Sequence, residues 1–207
     1  MAIKTYKDGT PFTGVIGRTT EESSPAWPDA PRPAERAPSV LFLVLDDVGF
    51  GSSSAFGGPC ETPVAEKLAA GGLKFTRFHT CALCSPTRQA MLTGRNPHSV
   101  GMGAITELAT APPGYNSLRP NTKAPLPLTL KLNGYATAQF GKCHEVPAWQ
   151  TSPMGPFDAW PAGGGGFEYF YGFIGGETSQ YEPALYEGLT PIEPPATAEE
   201  GYHLTED

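Results

Sequence analysis

Six consecutive apolar residues, Val40-Leu41-Phe42-Leu43-Val44-Leu45, run directly into two carboxylates, Asp46-Asp47, and then into Gly49. The run is rich in β-branched and aromatic side chains and does not alternate. A short, unalternating apolar run closed by turn residues predicts a strand buried on both faces, as in a parallel sheet. Ligands of such sheets bind beyond the carboxyl ends of the strands, so the same run nominates Asp46 and Asp47 as a site. Two adjacent like charges repel unless a cation or an arginine compensates them. Oxygen-only donors favour Ca²⁺ or Mg²⁺ over zinc. The competing reading is a turn in which one Asp caps and the other is solvated.

The rest of the chain supplies partners for that strand. Thr62-Pro63-Val64-Ala65-Glu66-Lys67-Leu68-Ala69-Ala70-Gly71-Gly72 predicts a helix, with Thr62 as N-cap, Pro63 in the first turn, Val64 and Leu68 on one face, and glycines closing it. Leu73 to His79 alternates apolar and polar and predicts a second strand. Ser85 to Gly94 repeats the cap–Pro–Gly pattern, Leu126 to Asn133 predicts a third helix ended by Gly134, and Tyr135 to Phe140 a third strand. Alternating strands and helices imply an α/β fold with a mostly parallel sheet flanked by helices. Residues 1–38 are polar and Pro-rich and predict an extended arm, with Trp27 placed to anchor it on the core; residues 39–207 form the folded part. Beyond Gly141 the chain turns loop-rich: Gly163 to Gly166 is its softest point, residues 183–201 are rich in Pro, Glu and Thr, and no closing element shows at His203 to Asp207. With 25 glycines and 23 prolines in 207 residues, the two together reach about twice their usual share, which favours turns over long helices.

Charge and hydropathy exclude several functions. The net charge of −7 opposes nucleic-acid binding, which needs clustered Lys and Arg. No apolar run approaches the ~20 residues of a membrane span, and Met1 to Gly9 lacks the apolar core of a secretory signal. The expected address is the cytoplasm, or the periplasm if a leader is absent from this chain. In a reducing compartment Cys60, Cys81, Cys84 and Cys143 default to thiols.

Chemistry concentrates in Cys84-Ser85-Pro86-Thr87-Arg88. Cys84 directly precedes the expected helix cap, where backbone N–H groups and the helix dipole attract an anion and favour thiolate. Arg88 lies one turn on and adds a fixed cation. The alternative is a structural cysteine with a surface arginine. Cys81 and Cys84 also form a C-x-x-C, which as a redox pair or half a zinc site lacks a second pair. Gly141-Lys142-Cys143-His144 ends the third expected strand; Lys142 suits an anion and His144 a proton transfer, against a solvated Lys and a packed His. His79, Arg95 and His98 read as structural. The aromatic stretch from Phe167 to Phe173 reads as packing, with a substrate wall as its alternative use.

Four segments together resemble the type I sulfatases of the alkaline-phosphatase-like superfamily: Leu43 to Gly51 around Asp46-Asp47, the C-x-P-x-R of Cys84 to Arg88, Leu92-Thr93-Gly94-Arg95, and Gly141-Lys142-Cys143-His144. The wording of residues 36–207 is similar to the bacterial arylsulfatase branch and to the N-terminal portion of its catalytic domain. The resemblance implies hydrolysis of sulfuric esters, with an aryl sulfate as the small-molecule substrate. It implies that a separate maturation enzyme oxidises Cys84 to formylglycine, whose hydrate attacks sulfur with one hydroxyl and expels sulfate through the other. It further implies that Asp46, Asp47 and the group derived from Cys84 bind Ca²⁺ (Mg²⁺ being second choice), that Arg88 orients that group, that Lys142 contacts sulfate, and that His144 assists the hydroxyl.

The chain departs from the family pattern in two ways. A later Asp-Asn or Asp-His pair, with a further His and Lys, has no counterpart before Asp207. Two carboxylates and one formylglycine oxygen fall short of the ~6–8 oxygens that calcium takes. The expectation is weak or no activity for this chain alone and a need for a missing C-terminal segment or partner chain. The alternatives are a phosphonate monoester or phosphodiester hydrolase of the same superfamily and a non-catalytic truncated remnant. Cys143, where a bulkier residue is expected, bears on how Lys142 and His144 are aimed.

Overall fold

The computed structural model describes residues 9, 11–27 and 30–207. Its regular elements are α1 (Pro63–Gly71), α2 (Cys84–Thr93), α3 (Leu126–Leu132), β1 (Ala138–Cys143), β2 (Tyr169–Ile174), β3 (Leu185–Glu187) and β4 (Thr190–Ile192). The strands form one sheet in the order β1-β2-β3-β4. β1 and β2 pair in parallel, with Gly141 opposite Gly172 and Cys143 opposite Ile174. The two following ladders are antiparallel. The α/β class holds, and the sheet is mixed.

The core lies beneath β1 and β2. Cys143, Val146, Trp160 and Phe170 form its buried centre, with Phe157, Ile174 and Tyr186 packed against it. Trp160 is fully buried; its indole N–H donates to the Gln150 carbonyl at 2.6 Å. Phe157 and Tyr186 meet its ring edge-on at centroid distances of 5.2 and 5.0 Å. The aromatic stretch is packing, as its composition suggests: Phe170 and Phe173 are buried.

The apolar run forms no strand. Residues 40–45 are irregular, and exposure reaches 89% at Leu41 and 84% at Leu43. Leu73 to His79, the second expected strand, is likewise irregular and exposed. A strand is a relation between two chain segments, and its N–H and C=O groups need a neighbour; among the described residues none lies alongside either segment. α1 forms as expected, but Val64 and Leu68 are both 72% exposed, so these two side chains remain largely in water. Thr62 is not its side-chain cap; its hydroxyl lies 2.6 Å from the Ser53 hydroxyl instead.

Other expectations shift. The third strand occupies Ala138–Cys143, three residues beyond Tyr135 to Phe140. Gly163 to Gly166 is tightly packed rather than soft: a Cβ at Gly163 would collide with the Phe157 carbonyl, and one at Gly164 with that of Asp158. Trp27 is 68% exposed and does not sit in the core. The arm instead touches the body where the backbone of Pro31 and Arg32 passes against Gly134. A short 3-10 turn, Leu204–Glu206, follows the buried Tyr202, and the Asp207 carboxylate accepts hydrogen bonds from the Tyr171 and Tyr202 hydroxyls. That contact closes the chain onto β2.

Candidate active site

α2 begins two residues earlier than its sequence suggests. Leu83 is extended and acts as N-cap without a side-chain bond, so Cys84 is the first helical residue. The Leu83 carbonyl accepts from the Thr87 amide at 3.1 Å. Pro86 then occupies the third helical position, where its missing N–H is no loss because the first four amides of a helix have no internal partner. Ser85, the expected cap, is fully buried and its hydroxyl has no hydrogen-bond partner. Cys84 therefore sits at the positive end of a ten-residue helix.

Its Sγ meets His144 Nδ1 at 2.8 Å. On the far side of the same ring, Nε2 lies 2.7 Å and 2.9 Å from the two carboxylate oxygens of Glu107. A carboxylate only accepts, so Nε2 carries a proton, and Nδ1 is the nitrogen left to face the Cys84 sulfur. Burial pushes the Glu107 carboxyl up, but the hydrogen bond and charge of His144, a backbone hydrogen bond and the Thr106 hydroxyl together outweigh it and leave Glu107 below its ordinary value. His144 is buried. A Cβ on Gly176 would come within 2.8 Å of its ring, so the imidazole is confined from that side too.

A second group of charges adjoins the first. Arg88 is buried; one guanidinium nitrogen donates to the Lys142 carbonyl at 2.8 Å and another lies 3.5 Å from Asp46. Lys142 Nζ reaches the other Asp46 oxygen at 2.5 Å. Burial raises the Asp46 carboxyl, but Lys142 and Arg88 more than offset it and hold the group below its ordinary value. Among the described residues, Asp46 is thus the one side chain through which the exposed apolar segment joins the packed body by ion pairs. Asp47 is exposed, with a left-handed backbone at φ 54°.

Successive residues after Gly141 take opposite sides, as extended chain requires. Lys142 and His144 face Asp46 and Cys84. Cys143 and Glu145 are buried on the other side, the thiol donating to the carboxylate at 2.9 Å. Burial pushes both groups up, Cys143 well above the ordinary thiol value. The smaller residue at 143 packs beside Val146, Trp160 and Phe170. Cys143 and Glu145 line a cleft of about 1100 Å³ that reaches Arg119, Leu128 and Phe157 but includes neither Cys84 nor His144.

Six expected site residues are thus accounted for. Cys84 and His144 meet directly, and Arg88, Lys142 and Asp46 meet directly, the two sets joined by the Lys142–His144 backbone and by α2. Asp47 makes no ion pair with them. Cys81 and Cys84 are both thiols, and Cys84 faces His144 rather than Cys81. His98 is structural, bonded to Asn96 and Tyr115. Glu107 was invisible in the sequence: it lies 37 residues from His144 in an unremarkable loop, and no spacing connects them. Among the described residues no helix is long and apolar enough to cross a membrane, and no three His, Cys, Asp or Glu side chains cluster as a metal site.

Comparison with known proteins gives a consistent picture. Residues 38–207 match the Sulfatase family. An uncharacterized sulfatase of Schizosaccharomyces pombe is 34% identical over 163 residues, covering 73% of this chain and 29% of its own. Human arylsulfatase A is 38% identical over 118 residues, 53% of this chain and 21% of its own. The arylsulfatase of Klebsiella aerogenes is 28% identical over 155 residues, 73% of this chain and 31% of its own. The chain therefore spans less than a third of the length of these relatives. Among solved structures, that of Ps i-CgsB superposes with a TM-score of 0.55 at 22% identity, over 78% of this chain and 37% of that one, which supports the fold. Since the family match takes in all the site residues above and most of the chain, the chain belongs to the sulfatase family.

Proposed function

We propose that the chain carries the nucleophile-bearing and anion-binding part of a sulfuric ester hydrolase that acts on aryl sulfates. The observation that carries this reading is the meeting of Cys84, His144, Arg88, Lys142 and Asp46 around the start of α2. Arylsulfatases among the relatives support the aryl ester.

Each residue has a task that its contacts support. Arg88 and Lys142 are fixed cations beside one another, suited to holding the oxygens of a sulfate ester and to offsetting charge that develops on them. His144 Nδ1 is placed to take a proton from the group at position 84. Formylglycine, once a maturation enzyme has formed it from Cys84, supplies a hydrated aldehyde as the attacking hydroxyl. Asp46 and Asp47 would hold part of the shell of a Ca²⁺ ion, or less suitably Mg²⁺. The donors fit a hard cation in kind, being carboxylate oxygens, but not in number, since Ca²⁺ takes ~6–8 oxygens. Asp46 also has both oxygens committed to Lys142 and Arg88, so a metal must share it with them. Water, or groups beyond the described residues, supplies the remainder.

The test is turnover of p-nitrophenyl sulfate beside p-nitrophenyl phosphate and a phosphodiester, with and without added Ca²⁺. Mass spectrometry of a peptide spanning residues 78–95 reports the aldehyde at Cys84. Weak sulfate turnover that Cys84→Ala abolishes is the expected result for this chain alone. Faster turnover of the phosphodiester assigns the site to a phosphodiester hydrolase instead, and no turnover from aldehyde-bearing protein even at high concentration and with Ca²⁺ leaves this chain dependent on further sequence for catalysis.

A further inference from the structure

Glu107 falls outside every motif in the sequence, yet it is the partner of the histidine that touches Cys84. We propose that Glu107 is a positioning residue that fixes the proton of His144 on Nε2 and so makes Nδ1 the base for whatever group stands at position 84.

Three observations converge on it. Both Glu107 oxygens lie within 2.9 Å of the same ring nitrogen, which sets the ring's direction as well as its proton. Thr106, itself buried, donates its hydroxyl to Glu107 at 3.2 Å and steadies the carboxylate. Gly176 closes on the ring so tightly that a methyl group there would overlap it; the histidine is thus held by both charge and shape at its Nε2 edge. The resulting chain, carboxylate to imidazole to sulfur, follows the general pattern of a nucleophile, its base and a third group that orients the base. The negative charge at Nε2–H makes Nδ1 a stronger acceptor, because the imidazolium formed when Nδ1 takes a proton is stabilised where it appears. The proton leaves the group at position 84 for Nδ1, and none is required to pass to Glu107.

The inference rests on the proposed site in placing His144 beside the reacting group, but its test needs no sulfate ester. On protein carrying the unmodified thiol, the probe is alkylation by iodoacetamide, in which the Cys84 sulfur attacks the methylene carbon and iodide leaves. Peptide mass spectrometry reads the rate at Cys84, with the exposed Cys60 as internal control. Glu107→Gln is expected to slow alkylation of Cys84 by about fivefold, within the range for directly coupled neighbours, and Glu107→Asp to restore part of the rate. In a His144→Gln background, Glu107→Gln is expected to change nothing further, which a merely structural role for Glu107 would not produce. An unchanged Cys84 rate in Glu107→Gln overturns the proposal, as does an equal slowing whether or not His144 is present. A protein that shows this coupling but turns over the phosphodiester faster than the sulfate ester keeps Glu107 in its role and removes the sulfatase reading alone.

Discussion

Residues 40–79 and residues 84–202 are built from similarly apolar sequence and meet opposite fates. In the first stretch Leu41, Leu43, Leu73 and Phe78 are each at least 78% exposed, and α1 is the one helix of more than a turn. In the second, Trp160, Phe170 and Leu185 are almost wholly buried beneath a four-stranded sheet. Hydrophobicity drives burial only where a second surface is available to be covered, since the gain scales with apolar area removed from water. β1 has β2 beside it in full register; the apolar run has no such neighbour among the described residues. Asp46 stands at the seam, its segment exposed and its carboxylate drawn into the packed half by Lys142 and Arg88.

The contrast is breakable by substitution. Trp160→Ala is expected to cost about 3–5 kcal/mol, as large-to-small changes of buried aromatics do, and to lower the denaturant midpoint sharply. Gly172→Ala comes next. Its Cβ would collide with the Gly141 carbonyl in the adjoining strand, with an expected cost of about 1–3 kcal/mol from overpacking, and amide exchange along β1 should accelerate. Retention of wild-type protection in β1 would show that the two strands are not mutually dependent.

Asp46→Asn tests the seam. Because cations hold the Asp46 carboxyl below its ordinary value of 3.8, its ionised form adds stability that is fully present above the unfolded value and is lost as pH falls through the folded one. The wild-type protein should therefore lose this contribution below about pH 4, and the variant's stability should be flatter there, by less than about 1 kcal/mol for so open a pair. The same substitution should raise proteolytic cleavage within residues 40–45. The smallest effect is expected for Leu43→Ala, within about 0.5 kcal/mol of wild type because the side chain covers nothing. A loss approaching that of Trp160→Ala would mean that the run is buried in solution after all, and would erase the distinction between the two halves.

Much of the site was legible beforehand because its residues come in short, local patterns. Cys84 and Arg88 share one turn of one helix, and Lys142 and His144 alternate at the end of one strand, so each pair is positioned by its own element. Glu107 was not legible, since its partner is distant in the chain and its position depends on how the 3-10 turn Thr106–Leu108 is brought against His144. The burial of Cys143 and Glu145 was equally hidden, because alternation says that two sides exist but not which side is covered.

The presence of the helices and their C-terminal ends, though not the start of α2, were determined by the sequence alone. Their hydrogen bonds close over four residues, so prolines in the first turn and a glycine beyond the last fix where α1 and α2 stand with little help from the rest of the molecule. Strand formation, burial and the charge network around Asp46 were decided only by tertiary structure. Each depends on groups brought together from far along the chain, and an apolar run without a paired neighbour stays in water however strongly its composition favours a sheet.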